Sequence, residues 1–436
     1  MSAPVFCFSS DKLQFVASTW KPRERRQTES SPDIQASTKP MFVLMGLIGL
    51  LLIIVVLWDV FETIVLPRRV TRRFRLTRFF YRSVWAPWSA IARTVHKSRR
   101  RETFLSIFGP LSLLMLLSLW AVTLVFGFAL LHWAFGSHIY TANGSAGFFT
   151  DLYYSGTTFF TLGLGDIAPL DRAARMMTVI EASLGFGLLA LVIGYFPVLY
   201  QAFSRREVNI SMLDARAGTP PTAAELLRRH QEGQSLESLD QFLRDWEMWA
   251  ADLMESHLSY PVLCFFRSQH DNQSWLAALN TVLDACSLVM VGIDGIPKWQ
   301  AQLTFKMARH AVVDISQIFN TSPVKHDGAR LSKKDLATLR LALSECGVAL
   351  RNEEGDEGTL EELRAMYEPY THVLSRYLMM PLPGWLPKAR ASDNWQTSAW
   401  ENAPLAADQP IRKCMLDVPA KKAHAQGATA ATERPD

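Results

Sequence analysis

The stretch Tyr153-Tyr154-Ser155-Gly156-Thr157-Thr158-Phe159-Phe160-Thr161-Leu162-Gly163-Leu164-Gly165-Asp166 decides how this chain is read. An extended strand whose carbonyls all turn toward one axis needs residues that tolerate unusual dihedrals. The alternating glycines at 163 and 165 supply them, and Thr161 adds a hydroxyl oxygen at one end. Four such strands around an axis would stack rings of oxygens able to replace the water shell of a cation. One strand per chain therefore asks for four chains. The plainer reading, a Gly-Asp turn in a loop, fails to account for what flanks the stretch.

Those flanks are apolar. Phe104 to Phe135 is interrupted only by Pro110, a few serines and His132, and Trp133 near its end suits a membrane interface. After the strand, a second run extends from Ala173 to Phe203 and closes on Arg205, Arg206 and Glu207. A third, from Met41 to Pro67, lies upstream and carries Asp59 and Glu62 on one face near its end. These two acids either bridge to arginines or snorkel at the interface. Gly147 to Phe160 leaves room for a helix of about fourteen residues, too short to span and therefore re-entrant. Its C-terminal dipole end favours a cation.

With these residues in place, the segment resembles the pore signature of potassium channels, usually T-V-G-Y-G-D after an aromatic-rich pore helix. Thr161, Gly163, Gly165 and Asp166 match, while Leu162 and Leu164 depart from it. The resemblance covers residues 104 to 205 and implies a homotetramer with potassium as the permeant ion and no cofactor. It implies coordination by the oxygens of Thr161, Leu162, Gly163, Leu164 and Gly165, with Asp166 bracing the outer mouth. Tyr153 and Tyr154 stand where the family often has two tryptophans, so that the Tyr153 hydroxyl is placed to bond Asp166. Thr157 falls where some members carry a glutamate. Gly185, twenty residues after Gly165, resembles the gating-hinge glycine of inner helices. Leucine replaces at 164 an aromatic that usually hydrogen-bonds the pore helix, which leaves the degree of selectivity open.

Two features of the last run are read from the residues themselves. Glu181 is its one acid; it supports the back of the filter or raises local cation concentration, against the plainer reading of pairing with a neighbouring hydroxyl. Pro197 lacks an amide, which predicts a kink near the helix end and a second hinge candidate. Gly187 and Gly194 compete with Gly185, and all three also fit as small residues that let helices pack closely.

Charge sets the orientation. Net charge is only +4 and hydrophobic content 49%, but Arg68 to Arg101 holds twelve Lys or Arg and no acid. Such a loop stays on the cytoplasmic side of a plasma (inner) membrane, which predicts an external N-terminus and a cytoplasmic C-terminus. Arg69, Arg72, Arg75 and Arg78 recur every third residue, but Thr71, Arg73 and Thr77 between them are too polar for a voltage sensor. With Phe74, Phe79, Phe80, Trp85 and Trp88 interleaved, the block reads as an interfacial helix on anionic lipid rather than a nucleic-acid surface. Five scattered cysteines, at 7, 264, 286, 346 and 414, read as reduced thiols.

Residues 1–40 and 386–436 lack apolar periodicity and are expected to be disordered. The sequon Asn143-Gly144-Ser145 carries no meaning in a bacterial cell. After Gly218-Thr219-Pro220-Pro221 the composition becomes that of a soluble helical domain within residues 206–385. Leu236, Leu239, Leu243, Trp246, Leu253 and His257 form one stripe. Further helices are expected over 272–291, 297–320, 332–352 and 359–380, in a bundle of five or six. Thr222-x-x-Glu225, Thr359-x-x-Glu362 and Ser332-Lys333-Lys334-Asp335 read as capping boxes. No G-x-G-x-x-G follows Arg205, which argues against a Rossmann regulatory domain. His257, His270, His310, His326 and His372 form no metal or catalytic set beyond the His310/Asp314 pair, so an enzyme is not expected.

The fold expected is an all-α membrane protein with three transmembrane helices at 41–67 and within 103–205, a re-entrant pore helix and filter, a basic linker at 68–102, and a helical cytoplasmic bundle with an unknown ligand. The expected function is passive potassium conduction. The alternatives are a weakly selective cation channel and a membrane-anchored sensor or enzyme with a non-conducting pore.

Overall fold

The computed structural model describes residues 32–66, 75–96, 98–141, 147–232, 236–270, 272–293, 298–323, 330–351 and 356–387. The first thirty-one residues, Arg68, Arg69, Arg72 and Arg73, the 143–145 sequon, His326 and the tail from 388 lie outside them.

Helix α1 (Pro32–Val60) starts within the segment expected to lack structure and ends in a wider turn at Phe61–Val65. It packs on α3 (Ser98–Ala134) through small residues. A Cβ added at Gly49 would lie 2.6 Å from the Gly127 carbonyl oxygen, so the two backbones touch there. Near its end Asp59 is buried and accepts bonds from the Trp120 indole N–H (3.0 Å), the Thr77 hydroxyl (2.6 Å) and the Thr77 amide (3.2 Å). Glu62 faces Arg75 at 3.6 Å. Among the described residues Glu62 meets an arginine, while Asp59 fastens α1 to α3 and to the first turn of α2 (Leu76–Thr94).

The aromatic face of α2 turns toward protein. Phe80 and Trp85 are buried, Trp88 stacks on Phe104 at 4.3 Å, and the Trp85 indole donates to the Tyr377 carbonyl at 3.0 Å. The lipid-facing reading of these rings is corrected for Phe80, Trp85 and Trp88, whereas Phe79 remains exposed. An amphipathic pattern fixes that one face is covered and leaves open by what.

Helix α4 (Phe148–Phe159) precedes the glycine-rich strand. A two-stranded ribbon unannounced by the sequence, β1 (Ile139–Thr141) against antiparallel β2 (Ile167–Pro169), ties the segment before α4 to the one after the strand. Then α5 runs unbroken from Arg172 to Ala217, with Pro197 inside it, and stops at Gly218, whose φ is +78°. The run expected to end near Phe203 thus continues fourteen residues into the C-terminal domain.

That domain comprises α6 (Ala223–Glu232), α7 (Leu236–Ser259), α8 (Trp275–Gly292), α9 (Lys298–Ile318), α10 (Lys333–Glu345), α11 (Asp356–Ala365) and α12 (Glu368–Leu378). There are more helices than expected because 359–380 breaks at Tyr367, whose hydroxyl donates to Asp284 at 2.6 Å, and restarts with Pro369 in the first turn. Thr359 lies inside α11 rather than at its N-cap, whereas Ser332 and Asp335 form a full capping box. Glu225 takes the Thr222 cap through its amide and turns its carboxylate to Arg228 and Arg229, which hold it down at about 2.

Among the described residues four helices are long and apolar enough to cross a membrane: α1 with its final turn, α3, α5 and α8. Burial separates them. The apolar window of α8 is 94% buried inside the protein, against 44% for α3 and 17% for α1 and for α5, so α8 is the core of the bundle and the other three carry apolar surface outside it. The result is an all-α membrane protein.

A short turn at Pro261–Phe265 reaches up from the bundle. Val262, Leu263 and Phe266 pack among Leu113 of α3 and Tyr195, Leu199 and Ala202 of α5, wedged between the two helices. Arg206 of α5 is 2% exposed and donates to the carbonyls of Leu263 and Phe266, both at 2.9 Å, beside Glu207 (2.9 Å) and His257 (3.1 Å).

Candidate functional site: the strand after α4

Helix α4 closes on Phe160, and the strand that follows is tethered to it by backbone. The Leu162 amide donates to the Thr157 carbonyl at 2.8 Å, and the Gly163 amide reaches the same oxygen at 3.4 Å. The Thr157 hydroxyl instead bonds back to the Tyr154 carbonyl at 2.9 Å, so Thr157 meets the strand through its backbone alone.

Along the strand the sign of φ alternates. Thr161 (+57°), Gly163 (+54°) and Gly165 (+80°) are positive, and Leu162 and Leu164 between them are not. This alternation brings successive carbonyls to the same side, the arrangement that a line of cation sites requires. Thr161 adopts it against the preference of an L-residue, at about 1–2 kcal/mol. Leu162 and Leu164 are 61% and 64% exposed within one chain. The Tyr153 hydroxyl donates to Asp166 Oδ2 at 3.2 Å beside the strand's end.

Behind the strand three helices meet around buried polar groups. Tyr154 points away from the strand: its hydroxyl pairs with Thr178 of α5 at 2.6 Å, and its ring stands edge-on to His132 at 5.2 Å. Glu181 of α5 is fully buried, accepts from the Ser155 hydroxyl and lies 3.4 Å from His132 Nε2 of α3. Ser155 also meets the Val125 carbonyl at 2.8 Å. Glu181 is thus joined to a hydroxyl, as its plainer reading has it, and the hydroxyl belongs to α4. The sequence showed His132 only as an interruption of an apolar run; an ionisable residue at that depth was the signal.

Gly185 is buried where α5 crosses the end of α4. A Cβ there would sit 2.0 Å from the Phe159 carbonyl oxygen, a contact only glycine permits. At Gly187 and Gly194 a Cβ would meet nothing within 4 Å. Pro197 lies beyond, deprived of the amide that would bond Ile193. Of the histidines, His257 is buried beside Arg206, and His310 faces Asp314 at 3.5 Å. Among the described residues no three His, Cys, Asp or Glu gather as a metal site.

Residues 115–201 match a family model described as an ion channel. Over 221 residues the chain is 23% identical to a relative from Bacillus subtilis (strain 168) called the uncharacterized membrane protein YdjJ, a match covering 50% of this chain and 63% of that one. The chain therefore spans less than two thirds of that relative's length. No solved structure matches it.

Proposed function

We propose that the chain, whose residues 115–201 match an ion-channel family model, is one subunit of a homotetrameric, potassium-selective channel that conducts passively. The alternating φ along Thr161–Gly165 carries this reading. Oxygens of Thr161, Leu162, Gly163, Leu164 and Gly165 coordinate the ion, Asp166 and Tyr153 brace one end, and Tyr154, Thr157 and Glu181 support the back. Exposed apolar side chains along α5, among them Met176, Val179, Phe186 and Ile193, suit contact with other subunits around the axis. The basic linker places the bundle in the cytoplasm and its exposed arginines against anionic lipid.

Leucine at 164 favours one second reading, a weakly selective cation pore, because its side chain has no hydrogen-bonding group with which to brace the strand. Flux from liposomes holding the purified full-length protein separates the two. Potassium flux at least about tenfold above sodium, blocked by barium and lost in Gly163→Ala, is expected. Equal sodium and potassium flux would establish the weakly selective pore, and flux unchanged in Gly163→Ala would remove the strand from the pathway.

A further inference from the structure

His132, Glu181 and Ser155 come from three different helices and meet behind the candidate filter. His132 is 2% exposed and Glu181 and Ser155 are fully buried. Ionisable side chains at such depth are costly to bury, and a chain that needed only packing would place leucine there. The links run in series: His132 Nε2 to one Glu181 oxygen, the other Glu181 oxygen to the Ser155 hydroxyl, next to Tyr154, which bonds Thr178 of the same α5. Four residues after Ser155, α4 ends and the strand begins. Whatever fixes α4 against α3 and α5 therefore fixes where the strand starts.

We propose that His132 is a positioning residue for the filter, and that the proton shared by His132 and Glu181 regulates ion selection. With one proton between them, as imidazolium and carboxylate or as imidazole and carboxylic acid, the pair bonds and α4 is clamped. Loss of that proton to solvent at higher pH leaves a buried carboxylate facing a neutral ring, whose Nε2–H still donates but without the charge-assisted attraction, so the clamp weakens. The other polar or titratable groups facing the pair are Tyr154 and Asp151 of α4, Thr178 of α5, and Ser137, whose hydroxyl donates to Asp151 at 2.5 Å. None supplies a second positive charge.

The inference rests on the channel reading, so its test has two arms. In liposomes, the potassium-to-sodium flux ratio of the wild type should fall as pH rises. His132→Gln, which keeps a hydrogen-bonding group without a titrating charge, should be selective at all pH values. His132→Phe should lose about tenfold in the ratio, the scale of one interhelical polar contact. In the second arm, amide hydrogen exchange of Phe148–Phe159 is compared between wild type and His132→Phe at equal pH, with faster exchange expected in the variant. A wild type that passes no potassium would overturn the channel reading and leave the clamp to the exchange arm. Unchanged exchange in His132→Phe, or a wild-type pH profile in His132→Gln, would overturn the clamp itself.

Discussion

On the proposed channel reading, Gly185→Ala is expected to abolish potassium flux while leaving the C-terminal bundle folded. The added methyl would lie 2.0 Å from the Phe159 carbonyl oxygen, 2.9 Å from its carbon and 3.2 Å from its Cα. All three are backbone atoms, so no rotamer change relieves the contact and α5 must back away from α4. Overpacking of this kind costs about 1–3 kcal/mol, which shifts a two-state equilibrium about 5- to 150-fold away from the aligned arrangement. Phe160 and Thr161 follow directly, and their displacement opens the line of carbonyls. Gly187→Ala, where the new methyl meets open space, should conduct like the wild type. Equal flux from both variants would place the close approach outside the conducting path.

The second large effect belongs to Arg206. Truncation to methionine leaves the Leu263 and Phe266 carbonyls without their donors and Glu207 without its cation, all in buried surroundings. Breaking a buried pair from one side costs about 3–5 kcal/mol. The denaturation midpoint of the bundle, followed by tryptophan fluorescence in the full-length protein, should fall accordingly. Arg206→Lys should recover only part, since an ammonium lacks the planar fork that reaches two carbonyls at once. The neighbouring His257 adds a pH dependence. Burial first, and then the Arg206 guanidinium, push its imidazole well below the ordinary histidine value, so it is neutral in the folded state. The unfolded chain takes up that proton earlier, near pH 6.5. Stability from this group is complete above that pH and declines as pH falls below it. His257→Gln should flatten the decline between about pH 7 and 5; a slope identical to the wild type would place the titrating group elsewhere.

The residues that could be read from sequence are those whose chemistry is local. Gly163 and Gly165 announce their dihedrals by having no side chain, and the Tyr153 to Asp166 bond joins residues thirteen apart. Long apolar runs announced α1, α3 and α5 because a bilayer is a uniform solvent that rewards composition alone. What stayed hidden depends on partners distant in the chain. His132 lies forty-nine residues from Glu181, and Trp85 finds its carbonyl 292 residues away at Tyr377. Apolar content alone makes α8 resemble a span, and only its surroundings make it a core. The break at Tyr367 falls just before Pro369, a boundary signal the sequence carries, whereas the Tyr367 hydroxyl bond to Asp284, eighty-three residues away, was hidden. Arg206 read as the polar end of a span, because a run of charges there ordinarily marks the return to water.

Arg206 and Trp85 together have a mechanical consequence. The bundle grips the membrane part at α5 through Arg206, at α2 through Trp85 and Tyr377, and at α3 through the Val262–Phe266 wedge on Leu113. A rigid body pinned along one line can swivel about it; pinned along several, it cannot. Any load on the bundle is therefore shared among α2, α3 and α5 rather than released as a swivel about one of them.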